Sequence, residues 1–223
     1  MRLLIILFVA IGTYEVLGDY PIGFKRGLLK DVRGCSCIAS YQKAKLRLSA
    51  PYEFKRFGIT PTFMPDPPKD MLKGGFATAE LKLGNYIDPL RTIDPVFITY
   101  LKGKKSDNYT LILVDFDAHQ GPPPNARVLA IHVNVPYNKN LIFDGDVAVP
   151  LISFVPSLGT GIHRIAGILY EQNSFIDSDQ IEFLKLSKSR VIQLEQFAKT
   201  YNLKPEPLAG TFYTTELESC GYN

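Results

Sequence analysis

The stretch GTGIHRIAGILYEQ, residues 159–172, joins a glycine turn to an apolar run typical of a buried strand. Gly159 and Gly161 flank a threonine, and glycine allows a backbone to approach a ligand closely with its N–H groups free. His163 and Arg164 follow the turn directly. Because successive strand residues face opposite sides of a sheet, we expect these two side chains to point in opposite directions, with His163 as the donor of a site and Arg164 as a structural cation.

A second stretch, NYTLILVDFDAH at residues 108–119, is apolar on both faces and is predicted to be a central strand. Asp115, Asp117 and His119 follow its apolar run, and we expect the two aspartates to start on one side of the sheet. If this strand and the strand after residue 162 are antiparallel neighbours, Asp115 approaches His163. Such a carboxylate stabilises an imidazolium, which can bind an anionic ligand.

Other segments extend the β core. RVLAIHVNVPYN is predicted as a strand ending at Pro136, and PLAGTFYTTEL as the last strand. In SRVIQLEQFAKTYNL the apolar residues recur at the spacing of one helical face, with Ser187 or Ser189 as the predicted cap. These apolar residues are Val191, Leu194, Phe197, Ala198 and Tyr201. Residues 19–60 are predicted to be peripheral, with short helical turns interrupted by Pro51.

The first residues have the pattern of a secretory signal peptide. A short basic start precedes LLIILFVAIG, which has the length of a signal-peptide apolar region and is too short to span a bilayer. Cleavage after Gly18 makes Asp19 the expected mature start and predicts an extracellular protein. The formal net charge of +3 is too small to indicate nucleic-acid binding, and no second apolar stretch is long enough to cross a membrane.

Three cysteines, Cys35, Cys37 and Cys220, leave at least one thiol unpaired. A bridge between Cys35 and Cys37 would strain a short loop, so we expect Cys220 to pair with one of them. Asn108 opens the glycosylation triplet NYT.

Two enzymatic or metal-binding alternatives have weaker support in the sequence. Ser157 is a candidate nucleophile of a Ser-His-Asp hydrolase, but the G-x-S-x-G motif is absent from the sequence. A metal site built from His119, His163 and Asp115 matches no known ligand spacing. His132 lies in the middle of a predicted strand and is interpreted as structural.

Several blocks in the same order resemble the phosphatidylethanolamine-binding protein family, which includes the Raf kinase inhibitor proteins. They are YTLILVDFDA, HVNVP, GTGIHRIAGILYEQ and FAKTYNL followed by LAGTFY, and together they cover roughly residues 55–216. The resemblance implies a mainly β fold with a large central antiparallel sheet, a smaller second sheet and peripheral helices. It divides the chain into a signal peptide at 1–18, an N-terminal extension at 19–54 and the family domain at 55–223.

The resemblance also implies a small anion pocket that accepts phosphoryl groups. The matched positions are Asp115, Asp117, Pro156, Gly161, His163 and Tyr213. Phe116 and His119 replace two prolines of the family, and His119 offers a donor from a new direction. Leu129, Val155 and Ile165 replace a histidine, a small residue and an aromatic residue, so the pocket is predicted to be narrower and less polar.

These features predict a secreted binding module that uses no cofactor and is not an enzyme. Its expected ligand is an anionic small molecule or a phospholipid headgroup, and a protein partner is also expected. The alternative is a scaffold with a degenerate pocket, or a serine protease inhibitor, acting through surface contacts.

We expect a glycan on Asn108 when the protein passes through a eukaryotic secretory pathway. The Asn108→Gln variant should lose the corresponding mass, which intact-protein mass spectrometry measures. A wild-type mass that does not change on glycosidase treatment would show that the site is unused.

Overall fold

The computed structural model describes residues 49–93, 96–104, 107–118, 121–136, 140–142 and 144–218. The predicted signal peptide, the three cysteines and His119 lie outside the described residues. Among the described residues, no helix is long and apolar enough to cross a membrane.

Eleven strands of the described chain form a large sheet and a smaller one. They are β1 Asp70–Met71, β2 Lys73–Phe76, β3 Ala79–Glu80, β4 Asn85–Tyr86, β5 Val96–Thr99, β6 Asn108–Asp115, β7 Ala126–Pro136, β8 Asp146–Val149, β9 His163–Glu171, β10 Val191–Ile192 and β11 Ala209–Thr215. The large sheet has the order β1-β11-β9-β6-β7-β10, with β4 also on β11 and β8 also on β7, and the smaller sheet has the order β3-β2-β5.

The predicted mainly β architecture with a large and a small sheet is confirmed. The long strands β11, β9, β6 and β7 pair with one another antiparallel, in that order. The large sheet as a whole is mixed, because the short strands β1 and β4 run parallel to β11.

Strand β6 lies between β7 and β9, so its prediction as a central strand is confirmed. Every residue of β6 after Asn108 is buried. Ile112 and Val114 belong to a core that also contains helix residues, whereas Leu111 and Leu113 belong to a second core between the two sheets. This double burial explains why the sequence of β6 is apolar without alternation.

The first described helix, α1 (Ala50–Arg56), contradicts two expectations. Pro51 lies in its first turn, where a missing N–H is tolerated, so proline starts this helix instead of breaking it. Phe54 is fully buried against the ring of Phe212, so this segment is part of the core and not peripheral.

The single helix predicted around residues 191–201 is wrong. Two helices, α2 (Ile181–Ser189) and α3 (Leu194–Thr200), are separated by Arg190, whose φ of 57° ends α2, and by strand β10. Ser187 and Ser189 lie inside α2, so neither is the N-cap of a helix. The N-cap position of α3 is Gln193. The spacing of the apolar residues predicted the wrong element here. Ile192 is buried because β10 pairs with β7, and local spacing does not reveal such a contact between strands.

Arg164 clamps the start of β9 to two neighbouring segments. Its Nε and Nη2 atoms donate to the two carboxylate oxygens of Asp117 at 2.8 and 2.7 Å, and its Nη1 donates to the Phe57 carbonyl at 2.6 Å. Both charged side chains are mostly buried. The prediction that Arg164 acts as a structural cation is therefore confirmed, and its carboxylate partner is Asp117.

We expect Arg164→Ala to lower the free energy of unfolding by about 2 kcal/mol, because it removes charge-assisted hydrogen bonds in a partly buried setting. Lys82→Ala, which breaks an exposed pair with Glu80, is the control and should change stability by less than about 1 kcal/mol. Urea denaturation measures both values. Equal losses in the two variants would contradict the clamp.

His132 is a buried imidazole in the middle of β7, opposite Leu111 of β6. Neither ring nitrogen has a hydrogen-bond partner among the described residues. Burial lowers the pKa of His132 to about 4. The neutral ring is therefore favoured in the folded state, in keeping with a structural role.

Because this pKa lies below its unfolded value of about 6.5, the protein should lose stability as the pH falls from about 6.5 towards about 4. His132→Leu removes the titrating group and should flatten that part of the pH dependence. Thermal unfolding of both proteins across this window measures the difference. An acid dependence that is the same in both would contradict the burial of a neutral His132.

Candidate functional site

The candidate site lies at the end of the large sheet where β6 finishes and β9 begins. The antiparallel register places Asp115 opposite Ile165, and the Asp115 carboxylate meets His163 Nδ1 at 2.7 Å. The side chains are only 6% and 3% exposed. The expected approach of Asp115 to His163 is confirmed, and the pair is buried.

The second ring nitrogen of His163 is also engaged. Its Nε2 lies 2.7 Å from the Thr160 hydroxyl, which donates its single proton to the Ser157 carbonyl at 2.7 Å. A hydroxyl that donates to the Ser157 carbonyl can only accept from Nε2, so Nε2 is the donor towards Thr160, and Nδ1 is assigned as the donor towards the Asp115 carboxylate. The hydrogen-bond pattern therefore assigns a doubly protonated, positively charged imidazolium to His163.

The electrostatic surroundings agree with this assignment. The hydrogen bond with Asp115 raises the pKa of His163, although burial opposes the rise. The other oxygen of Asp115 accepts the backbone N–H groups of Asp117 and Ala118 at 2.9 and 3.1 Å. These bonds fix the orientation of the carboxylate that faces His163.

Three further polar side chains share the sheet face of this pair. Arg127 on β7 is opposite Asp115, Thr215 on β11 is opposite His163, and Tyr213 is opposite Ile165. Directly opposed residues lie on the same face of a sheet. Arg127 is also near enough to His163 to act against the rise of its pKa.

Each of these three side chains has a buried polar atom without a hydrogen-bond partner among the described residues. The atoms are Arg127 Nε, Tyr213 OH and Thr215 Oγ1. Burial, followed by the charge of Asp115, raises the pKa of Tyr213, which keeps its hydroxyl protonated as a donor. Buried donors of this kind are rare in native proteins and call for a specific explanation.

The second aspartate lies elsewhere. Asp117 holds Arg164, which faces away from His163, so the expectation that Asp115 and Asp117 point to one side is wrong. The physical reason is that β6 ends at Asp115, and the alternation of a strand does not continue into the following bend.

The remaining matched positions surround the turn before β9. Pro156 is buried, and Gly161 has a φ of 82°, which favours glycine. Leu129 and Ile165 are buried in the core between the sheets, and Val155 is half-buried. The His119 donor lies outside the described residues. Among the described residues, no cluster of three potential metal ligands occurs.

Sequence reasoning missed Arg127, Thr160 and Thr215. Arg127 could have been found from the sequence, because it is a charged residue at the start of the apolar strand RVLAIHV. Charged residues are rarely buried unless they have a partner. Thr160 and Thr215 carried no such signal, because their importance comes from the register of β9 with β11 and from the shape of the turn.

Two clefts of the surface lie away from the Asp115–His163 pair. One of about 350 Å³ is lined by residues 61–65, the 123–124 proline pair and the start of α3. Another of about 400 Å³ lies between residues 78–80 and 85–91. Neither is lined by His163 or Asp115. Because the two side chains are almost fully buried, the pair itself is closed to solvent.

Comparison with known proteins agrees with this architecture. No protein-family model matches the chain. The chain is 26% identical over 164 residues to a 26 kDa secreted antigen of Toxocara canis, a match that covers 71% of this chain and 61% of the antigen. The chain thus spans less than two thirds of this relative's length.

Solved structures carry the same fold at low sequence identity. The carboxypeptidase Y inhibitor, solved in complex with its cognate proteinase, aligns with a TM-score of 0.59 and 18% identity over 78% of this chain and 96% of its own. The phosphatidylethanolamine-binding protein of Plasmodium vivax aligns with a TM-score of 0.54 and 17% identity, covering 74% of this chain and 96% of its own. The resemblance inferred from sequence is confirmed, and the chain has the fold of the phosphatidylethanolamine-binding protein family.

Proposed function

We propose that the chain is a secreted binding protein, not an enzyme, that holds a phosphoryl or other small anionic group at the Asp115–His163 end of the large sheet. The observation that carries the proposal is the set of buried, unpartnered donors beside a buried imidazolium. The fold and the secreted relative agree with it.

The charges of this sheet face favour an anion. Ionised Asp115 balances the imidazolium of His163, and the guanidinium of Arg127 then leaves one positive charge in excess. On the opposite face, Asp117 and Arg164 neutralise each other. Arg127 is half-buried, and its Nε is buried without a hydrogen-bond partner among the described residues. A partly desolvated positive charge favours a counter-charge, and a phosphate oxygen supplies both a charge and hydrogen-bond acceptors.

The donors of the site suit a phosphoryl group. The Arg127 Nε–H and the hydroxyls of Tyr213 and Thr215 can each donate to an oxygen, and all three lack a partner among the described residues. His163 adds Nε2–H once Thr160 moves away. A charged oxygen is a stronger acceptor than the Thr160 hydroxyl, so the anion has the advantage in this exchange.

The turn that carries Thr160 has room to make that movement. Gly159 and Gly161 have φ values of 72° and 82°, and a side chain added at either position would meet nothing within 4 Å. In this proposal Pro156 and Gly161 shape the turn over the ligand. Asp117 supports the site from the opposite face by holding the start of β9.

A second function is a scaffold or protease inhibitor that acts through surface contacts. Its support is the closed geometry, in which both ring nitrogens of His163 already have partners within the chain. A structural neighbour is a carboxypeptidase inhibitor solved with its proteinase. The response of His163 to a phosphate monoester separates the two functions.

Histidine proton titration by NMR, with and without phosphoethanolamine, tests the anion site. We expect the ligand to raise the pKa of His163 further, and Asp115→Asn to lower it, since the carboxylate stabilises the imidazolium. His132, buried in the middle of β7, is the control within the same spectrum and should not respond. A His163 pKa that is the same with and without phosphoethanolamine would favour the scaffold function.

The same pair predicts a pH dependence of stability. Because the pKa of His163 is raised on folding, its contribution is fully present below about pH 6.5 and is lost as the pH rises through the folded pKa. The difference in unfolding free energy between wild type and Asp115→Asn should therefore shrink as the pH rises above about 6.5. A difference that grows over this range would contradict the imidazolium assignment.

A further inference from the structure

The segment that covers His163 is uncharged and exposes aliphatic side chains. Residues 151–162, LISFVPSLGTGI, contain no Asp, Glu, Lys, Arg or His. Within it Leu158 is 61% exposed and Ile162 is 60% exposed, and Leu151 is exposed as well. The segment thus runs for twelve residues without a charge in a chain of which 21% of the residues are charged, and it exposes three aliphatic side chains.

These aliphatic residues flank the residue that closes the candidate site. Leu158 and Ile162 lie two positions before and after Thr160, whose hydroxyl meets His163 Nε2. The Gly159 N–H donates to the Leu217 carbonyl at 2.9 Å, which ties the turn to the chain beyond β11. The segment that must move for an anion to reach Nε2 is thus the segment that presents Leu158 and Ile162 to solvent.

The chemistry of the segment fits a lipid surface better than a protein surface. Protein interfaces derive most of their binding energy from Trp, Tyr and Arg, and leucine, serine, threonine and valine are under-represented among such residues. Apart from Phe154, which is buried, residues 151–162 consist of aliphatic, hydroxyl, proline and glycine residues. Exposed aliphatic side chains beside a cationic site match the boundary of a bilayer, where acyl chains begin just below the phosphates.

We propose that residues 157–162 dock on a phospholipid bilayer, with Leu158 and Ile162 inserted among the upper acyl chains. This docking brings phosphate monoester headgroups to His163 and Arg127. The inference rests on the proposed anion site and names the bilayer as the source of its ligand. Docking also engages the turn that carries Thr160, so bilayer contact and opening of the site involve the same segment.

Vesicle co-sedimentation of the full chain tests the docking turn. The probes are phosphatidylcholine vesicles with and without phosphatidic acid, whose headgroup is a phosphate monoester. We expect wild type to bind the vesicles that contain phosphatidic acid, and Leu158→Asp or Ile162→Asp to weaken that binding at least about tenfold, because a carboxylate replaces the inserted side chain. Leu184→Asp, at an exposed leucine of α2, is the matched control and should bind like wild type.

The NMR response of His163 to soluble phosphoethanolamine keeps the two proposals apart. Leu158→Asp should retain that response, which also shows that the variant is folded and its anion site intact. Vesicle binding that is unchanged in both Leu158→Asp and Ile162→Asp would contradict the proposal that residues 157–162 dock on the bilayer. An equal loss of binding in Leu184→Asp would contradict it as well. A wild type that responds to phosphoethanolamine but ignores both kinds of vesicle would overturn it too and leave the anion site standing.

Two further outcomes bear on the link between surface and site. Binding that requires Leu158 but does not depend on phosphatidic acid would overturn the delivery of monoester headgroups. Binding that requires both Leu158 and phosphatidic acid, in a protein whose His163 ignores phosphoethanolamine, would support the docking turn while removing the proposed function at His163.

Discussion

The antiparallel pairing of β6 with β9 is the constraint on which the site and its surroundings depend. Its register sets Asp115 against Ile165, so the carboxylate reaches the His163 ring at the first position of β9. The same two strands bury side chains on both faces and separate the two cores of the molecule. A shift of one residue in this register would move His163 to the helix-covered face and leave Asp115 buried without its partner.

Two acid–base pairs at one end of this pairing perform different tasks. Asp117 and Arg164 share three hydrogen bonds, and Arg164 also donates to the Phe57 carbonyl at the end of α1, so the pair acts as a structural clamp on the start of β9. Asp115 and His163 lie on the other face beside buried donors that have no partner among the described residues. The Asp117–Arg164 clamp fixes the backbone from which His163 projects. A rigid ion pair therefore supports the Asp115–His163 pair, whose hydrogen bond to Thr160 can be exchanged for a bond to a ligand.

Local sequence predicted the long strands well because their signals are local. The apolar run of β6 and the end of β7 at Pro136 follow from burial and from the chemistry of proline. The helix predicted near residue 191 failed because β10 is fixed by pairing with β7, a contact across more than sixty residues. The interpretation of Pro51 as a break was wrong for a different reason, because proline in the first turn of a helix is itself a local start signal.

The sequence by itself determined the β architecture, the end of β6 in an aspartate and the start of β9 in a histidine, because hydrophobic period and turn residues are written locally. Only the tertiary structure decided which polar groups meet. It placed Asp117 on Arg164 instead of in the site, added Arg127 and Thr215 through strand register, and closed His163 with Thr160. Such partners depend on side-chain geometry across strands far apart in sequence, which no local pattern encodes.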